Sequence, residues 1–177
     1  GNFIANNLEG CAINALSDMF VLNKGKISEL LQMRRAIELG SVRNIIERGR
    51  KEDAAVLREI LAEYEGADVE KYLDLDERFH KTLVNLSGNT LYRIVFDMLS
   101  ALILPDMRKV VRITVESDSK NDLYIEHLAL LGAIEDCDIR RADAILTKHL
   151  LLDNEALTSL GAPSKADLSF LQDRITA

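Results

Sequence analysis

Apolar residues recur along most of the chain at intervals of three and four, with polar positions between them, which is the helical period. Ile13, Leu16, Met19 and Phe20, closed by Asn23, predict a short helix over residues 11–23. Ile27, Leu30, Leu31, Arg34, Glu38, Ser41 and Ile45 share one face of a longer helix that Gly49 stops. Residues 51–65 form a charged amphipathic helix with Ala54, Leu57, Leu61 and Tyr64 along one side and Gly66 at its end. Asp68 is placed to cap a helix running to Ser87, broken at Gly88. Apolar positions continue from Leu91 to about Val115, where Pro105 should kink or divide the helix. Further helices are predicted over roughly 121–136 and 138–158, and Ser164, after the break at Gly161-Ala162-Pro163, caps a last short one reaching about Arg174. β-branched residues occur at Ile103 and over Val110–Val115, but helical periodicity flanks them. The predicted fold is all-α, an antiparallel helical bundle of about six to seven helices enclosing a cavity.

Composition narrows the function classes. The chain of 177 residues is 47% hydrophobic and 29% charged, the balance of a globular domain able to bury its own core. Aromatic residues at 5% and only 2 Pro favour long helices over a β-sandwich, which needs frequent turns. A net charge of −7 removes the basic footprint that nucleic-acid binding requires, so this segment by itself is not read as a DNA or RNA binder. No apolar run approaches the roughly 18 residues that span a bilayer. Cys11 and Cys137 stand far apart in no metal or redox pattern, and are expected to be reduced, partly buried thiols of a cytoplasmic protein. The first residue is Gly rather than Met, and an upstream part of the natural protein is expected to precede it.

The chain has 3 histidines, each on a face expected to point inward. His80 follows Asp76 by one helical turn, about 40° apart in projection, so both side chains reach one point of a bundle interior. His127 shares its side with Leu123, Leu130, Leu131 and Ile134, and His149 shares its side with Ala142, Ile145, Leu146 and Leu152. A single histidine on such a face is most often a hydrogen-bonded core residue. Three on separate helices, with one carboxylate, make a coherent ligand set for Zn, Ni, Mn or Fe, because bundles build metal sites from facing helices.

Arg34 falls on an apolar stripe, where an unpaired guanidinium is costly. Either it pairs structurally, with Glu38 one turn on or with an acid of another helix, or it is a fork awaiting a carboxylate. Other chemistries lack their residues. A ferritin-like di-iron site needs two Glu-x-x-His motifs, and only Glu77–His80 matches. His-Glu-x-x-His, Gly-rich phosphate loops and Gly-x-Ser-x-Gly do not occur.

Three stretches, ISELLQMRRAIE, DERFHKTLVNLSGN and EHLALLGAIEDCDIRRADAILTKHL, together resemble the effector-binding C-terminal domain, called FCD, of the FadR branch of GntR-type bacterial transcription regulators. The resemblance runs from about residue 28 to 153. GNFIAN is similar to the strand that closes the wing of that family's winged helix-turn-helix. The resemblance therefore implies three parts. Residues 1–10 are the wing end of a missing DNA-binding domain plus a linker, residues 11–160 the effector-binding and dimerisation domain, and 161–177 a tail or short helix. It departs from the family at SVRNIIERG, where many members carry an Ala-rich run.

The resemblance implies a divalent metal, Zn before Ni, Mn or Fe, held by Asp76, His80, His127 and His149. It implies a small hydroxy-, keto- or sugar acid completing the coordination, its carboxylate met by Arg34. The implied partners are a second copy of the chain and, through the absent domain, operator DNA; no membrane is involved. Sensing is preferred to catalysis because no spare acid or base stands beside the ligands. Glu77 should point about 100° away from Asp76. The alternatives are a metal-dependent helical-bundle enzyme and a purely structural dimerisation module.

Overall fold

The computed structural model describes residues 26–116 and 120–159 together with scattered positions between 11 and 23, the side chains of 27, 51, 104–106, 120–121 and 151–159 excepted. From residue 27 on it contains six helices, and no strand occurs among the described residues. They are α1 (Ile27–Arg48), α2 (Lys51–Ala62), α3 (Val69–Leu86), α4 (Thr90–Glu116), α5 (Lys120–Glu135) and α6 (Ile139–Ser159). The expectations for residues 1–10 and for a last helix over 164–174 lie outside the described residues.

The helix boundaries follow from local chemistry. The Glu29 carboxylate accepts the Lys26 backbone N–H at 2.9 Å and fixes the start of α1. Gly49 ends that helix in the left-handed conformation at φ 61°, its N–H donating to the carbonyls of Ile45 and Ile46. Asp68 caps α3 by accepting from the Lys71 N–H at 2.8 Å. Asn89 accepts from the N–H groups of Leu91 and Tyr92 at the start of α4, and Asp138 accepts from Arg141 at the start of α6. The expected end of α2 and the expected burial of the cysteines need correction. α2 stops at Ala62 rather than Glu65, because residues 63–66 turn so that Tyr64 enters the core and Gly66 takes φ 72°. Of the two outcomes expected at Pro105, a kink or a division, the division does not occur: α4 is a single element through it. Cys11 and Cys137 are exposed rather than partly buried; Cys137 sits in the turn after α5 at φ 55°.

Two apolar clusters hold the bundle. One joins Val42 and Ile45 of α1 to Leu57 and Leu61 of α2, Phe79 and Leu83 of α3, Leu130 of α5 and Leu146 of α6. The other sets Leu30, Leu31 and Ile37 of α1 against Phe96, Leu99, Ile103 and Met107 of α4. α1 thus contributes to both clusters, and the middle of its buried face carries Arg34, Glu38 and Ser41 instead of apolar residues. Polar side chains at that depth need partners. Ser41 donates to the Ile37 carbonyl at 2.8 Å. The other two lead to the histidines.

Candidate metal centre

α3, α5 and α6 bring Asp76, His80, His127 and His149 together inside the bundle, all four buried, with one potential ligand atom from each lying within 4.8 Å of the others. The helical faces read from the sequence are the faces that turn inward: Leu123, Leu130, Leu131 and Ile134 are buried beside His127, and Ala142 and Leu146 beside His149. His80 Nε2 lies 3.2 Å from His149 Nε2 and 3.3 Å from His127 Nε2. Asp76 Oδ1 lies 3.7 Å from His127 Nε2. The His127 ring stacks on Phe79, centroids 4.4 Å apart, which fixes its plane.

The opposite ring nitrogens decide what these contacts are. His80 Nδ1 lies 2.8 Å from Glu38 Oε2, and His149 Nδ1 lies 2.9 Å from Glu126 Oε2. A carboxylate accepts, so both Nδ1 atoms donate. In neutral rings the two Nε2 atoms then present lone pairs to one another at 3.2 Å, an arrangement that calls for a cation between them. Burial first, then the nearby charges of His149, His80 and Arg34, pushes the His127 imidazole well below the ordinary histidine range and keeps it neutral. Asp76 Oδ1 is buried with no hydrogen-bond partner, as is His127 Nδ1.

The residues fit a divalent ion. Ligand atoms about 2.1 Å from a metal stand about 3.0 Å apart at right angles and about 3.4 Å apart in a tetrahedron, close to the three separations above. Imidazole nitrogens backed by carboxylates are the usual support for such ligands. Glu38 and Glu126 are the residues at this site that sequence reasoning did not place behind the histidines. Glu38 had a signal, a carboxylate in the middle of an apolar stripe. Glu126 had none, since its pairing with His149 depends on how α5 meets α6.

Arg34 does not stand alone on its stripe. Its Nε donates to Glu38 Oε1 at 2.7 Å, and its guanidinium carbon lies 5.7 Å from the centre of the Phe96 ring. It also lines a small cavity with Asp76 and His80, closed on the far side by Phe96, Met107 and Arg108 of α4. The cavity holds about 20 Å³, room for about one water. Arg108, on the cavity wall, bridges α4 to Asp74 at 2.9 Å and to Glu70 and Glu77 at 3.5 Å on α3. Glu77, expected to point away from Asp76, is not among the four clustered ligands, but it lines the same cavity while reaching Arg108 at 3.5 Å.

The FCD domain family model matches residues 29–152, most of the chain and all of the site. The chain belongs to the FCD domain family. It is 28% identical over 139 residues to the HTH-type transcriptional regulator LutR of Bacillus subtilis, an alignment covering 76% of this chain and 64% of that protein. It is 26% identical over 157 residues to the HTH-type transcriptional repressor NanR of Klebsiella aerogenes, covering 87% of this chain and 60% of that protein. The chain thus spans less than two thirds of the length of either relative. As a member of the FCD family it is a ligand-sensing regulatory domain of the kind found in GntR-type regulators. Among the described residues no helix is long and apolar enough to cross a membrane.

Proposed function

We propose that this FCD domain is the acid sensor and dimerisation unit of a DNA-binding transcription regulator, and that it works through one divalent metal, zinc first among the candidates. The observation that carries the reading is the convergence of three Nε2 atoms and one orphaned carboxylate oxygen, with two of the imidazoles held from behind by Glu38 and Glu126. Asp76, His80, His127 and His149 hold the ion, which supplies a Lewis-acid contact for an incoming carboxylate. Arg34 meets the remaining carboxylate edge from α1. The ligand is a small hydroxy-, keto- or sugar acid.

The size of the cavity supplies the sensing step. At about 20 Å³ it admits no organic acid without rearrangement. Entry therefore pushes Phe96, Met107 and Arg108 outward, and α4 moves relative to α3. In a two-fold dimer that displacement changes how the two DNA-binding domains, which lie outside this chain, are presented to an operator. A catalytic reading has less support: Glu77, the carboxylate next to Asp76 in sequence, lines the cavity but is paired with Arg108 at 3.5 Å.

The test is elemental analysis and native mass spectrometry of the purified protein, which report metal, retained acid and dimer together. One equivalent of metal per chain, lost on His149→Ala, is the expected result. A protein that takes up no zinc, or that keeps it in full after His149→Ala, overturns the reading.

A further inference from the structure

Arg34, Glu38 and His80 form one unbroken chain of polar contacts inside the protein. Glu38 uses both carboxylate oxygens: Oε1 accepts from Arg34 Nε at 2.7 Å, and Oε2 lies 2.8 Å from His80 Nδ1. It has 0% exposure, so water cannot replace either contact. Removing one neighbour of a carboxylate at that depth leaves an uncompensated buried charge. The two contacts therefore hold Glu38, and Glu38 in turn holds the His80 ring with its Nε2 lone pair aimed at the other ligands.

The other two imidazoles are supported differently. Glu126, behind His149, also pairs with Lys148 at 3.0 Å and reaches the surface. His127 Nδ1 has no hydrogen-bond partner and relies on stacking against Phe79. Among the described contacts, the support of His80 runs back through Glu38 to Arg34, the residue read as the carboxylate contact, whereas that of His149 runs through Glu126 to Lys148.

We infer that Glu38 is a positioning residue that transmits the state of Arg34 to the metal ligand His80, so that whatever displaces Arg34 is felt at the metal. The inference rests on the metal reading above. Coupling between two sites is reciprocal, and it needs a physical element that both sites bias. A fully buried carboxylate shared between Arg34 and His80 is such an element. Glu126 has no corresponding link, and it serves as the internal control.

The test uses zinc alone, in competition with a chromogenic chelator, on wild type, Arg34→Ala, Glu38→Gln and the double variant, and on the same cycle with Glu126→Gln replacing Glu38→Gln. Glu38→Gln should weaken zinc binding by about 10- to 100-fold, the usual loss when the group behind a ligating histidine is removed. Arg34→Ala should weaken zinc binding several-fold in wild type, by the same factor beside Glu126→Gln, and not at all beside Glu38→Gln. ¹⁵N spectra should show the His80 Nδ1–H resonance moved by both Arg34→Ala and Glu38→Gln, which a residue that only stabilises the bundle would leave in place. Arg34→Lys and Glu38→Asp supply the cycle if the larger changes unfold the protein. Arg34 effects that are equal in the wild-type and Glu38→Gln backgrounds overturn the inference while leaving the metal site standing. A wild type without zinc affinity overturns both.

Discussion

Asp76 Oδ1 lies 3.7 Å from His127 Nε2, beyond hydrogen-bond distance, and has no other hydrogen-bond partner although it is buried. A buried polar atom left in that state costs about 1–3 kcal/mol, more for a charge. In a metal site the same oxygen is a ligand, so the cost is incurred in the metal-free protein and recovered on binding.

Asp76→Asn should therefore act in opposite directions on the two forms. The metal-free variant should melt at or above the wild-type temperature, because a buried carboxylate with an unpartnered oxygen is gone. The zinc-loaded variant should melt below zinc-loaded wild type. Thermal unfolding with and without zinc separates the two effects, and a variant that loses stability equally in both forms would make Asp76 an ordinary structural residue.

Acid and chelators should remove the metal without unfolding the bundle. Imidazoles ligate only when neutral, so protons compete with the ion below about pH 6. At 100 times the dissociation constant the ion adds about 2.7 kcal/mol of stability, which should disappear on acidification or chelation. Helical circular dichroism should survive at 25 °C, since the two apolar clusters, not the ion, hold the helices together. Complete unfolding on chelation at pH 7 would contradict this.

Leu57 tests that division of labour. It is fully buried on α2, outside the metal cluster. Leu57→Ala should lower stability by about 2–5 kcal/mol through lost burial and a residual cavity. Zinc stoichiometry in the folded variant should stay at one per chain. Denaturant titration and metal analysis of the same sample check both halves.

Arg34→Ala should weaken binding of the preferred acid by roughly ten- to a hundred-fold, the equivalent of one charge-assisted contact of about 1.5–3 kcal/mol. The measurement is calorimetry at saturating zinc against hydroxy-, keto- and sugar acids. Saturating zinc matters because Arg34 is tied to His80 through Glu38, so metal occupancy has to be held constant. An unchanged acid affinity would confine Arg34 to its pairing with Glu38.

Much of the site was legible before the fold was known. Asp76 and His80 lie one turn apart on a single helix, and local geometry alone puts them on one face. The inward orientation of His127 and His149 followed from their apolar neighbours, of which Leu123, Leu130, Leu131, Ile134, Ala142 and Leu146 are buried and Ile145 is partly buried. Arg34 was harder. Its sequence context allowed a structural pair or a waiting fork, and the structure shows the pair with Glu38 while also placing Arg34 on the cavity wall. The end of α2 was misjudged by three residues because Tyr64 is drawn into the core by packing against Tyr72 of the next helix and Tyr124 of α5, a contact distant in sequence.

The sequence by itself determined the all-α class, the capped start of α3, the stop at Gly49 and the four residues able to ligate a metal. Those features depend on a period of 3.6 residues and on hydrogen bonds spanning three or four positions, both written locally in the chain. Only the tertiary structure decided that the Nε2 atoms of His127 and His149 both come within hydrogen-bond distance of His80 Nε2, that Glu38 and Glu126 stand behind two of the rings, and that α4 supplies one wall of the cavity. These depend on the angles and offsets at which helices cross. Such angles are set by the interdigitation of many side chains from several helices at once, and no single helix encodes them.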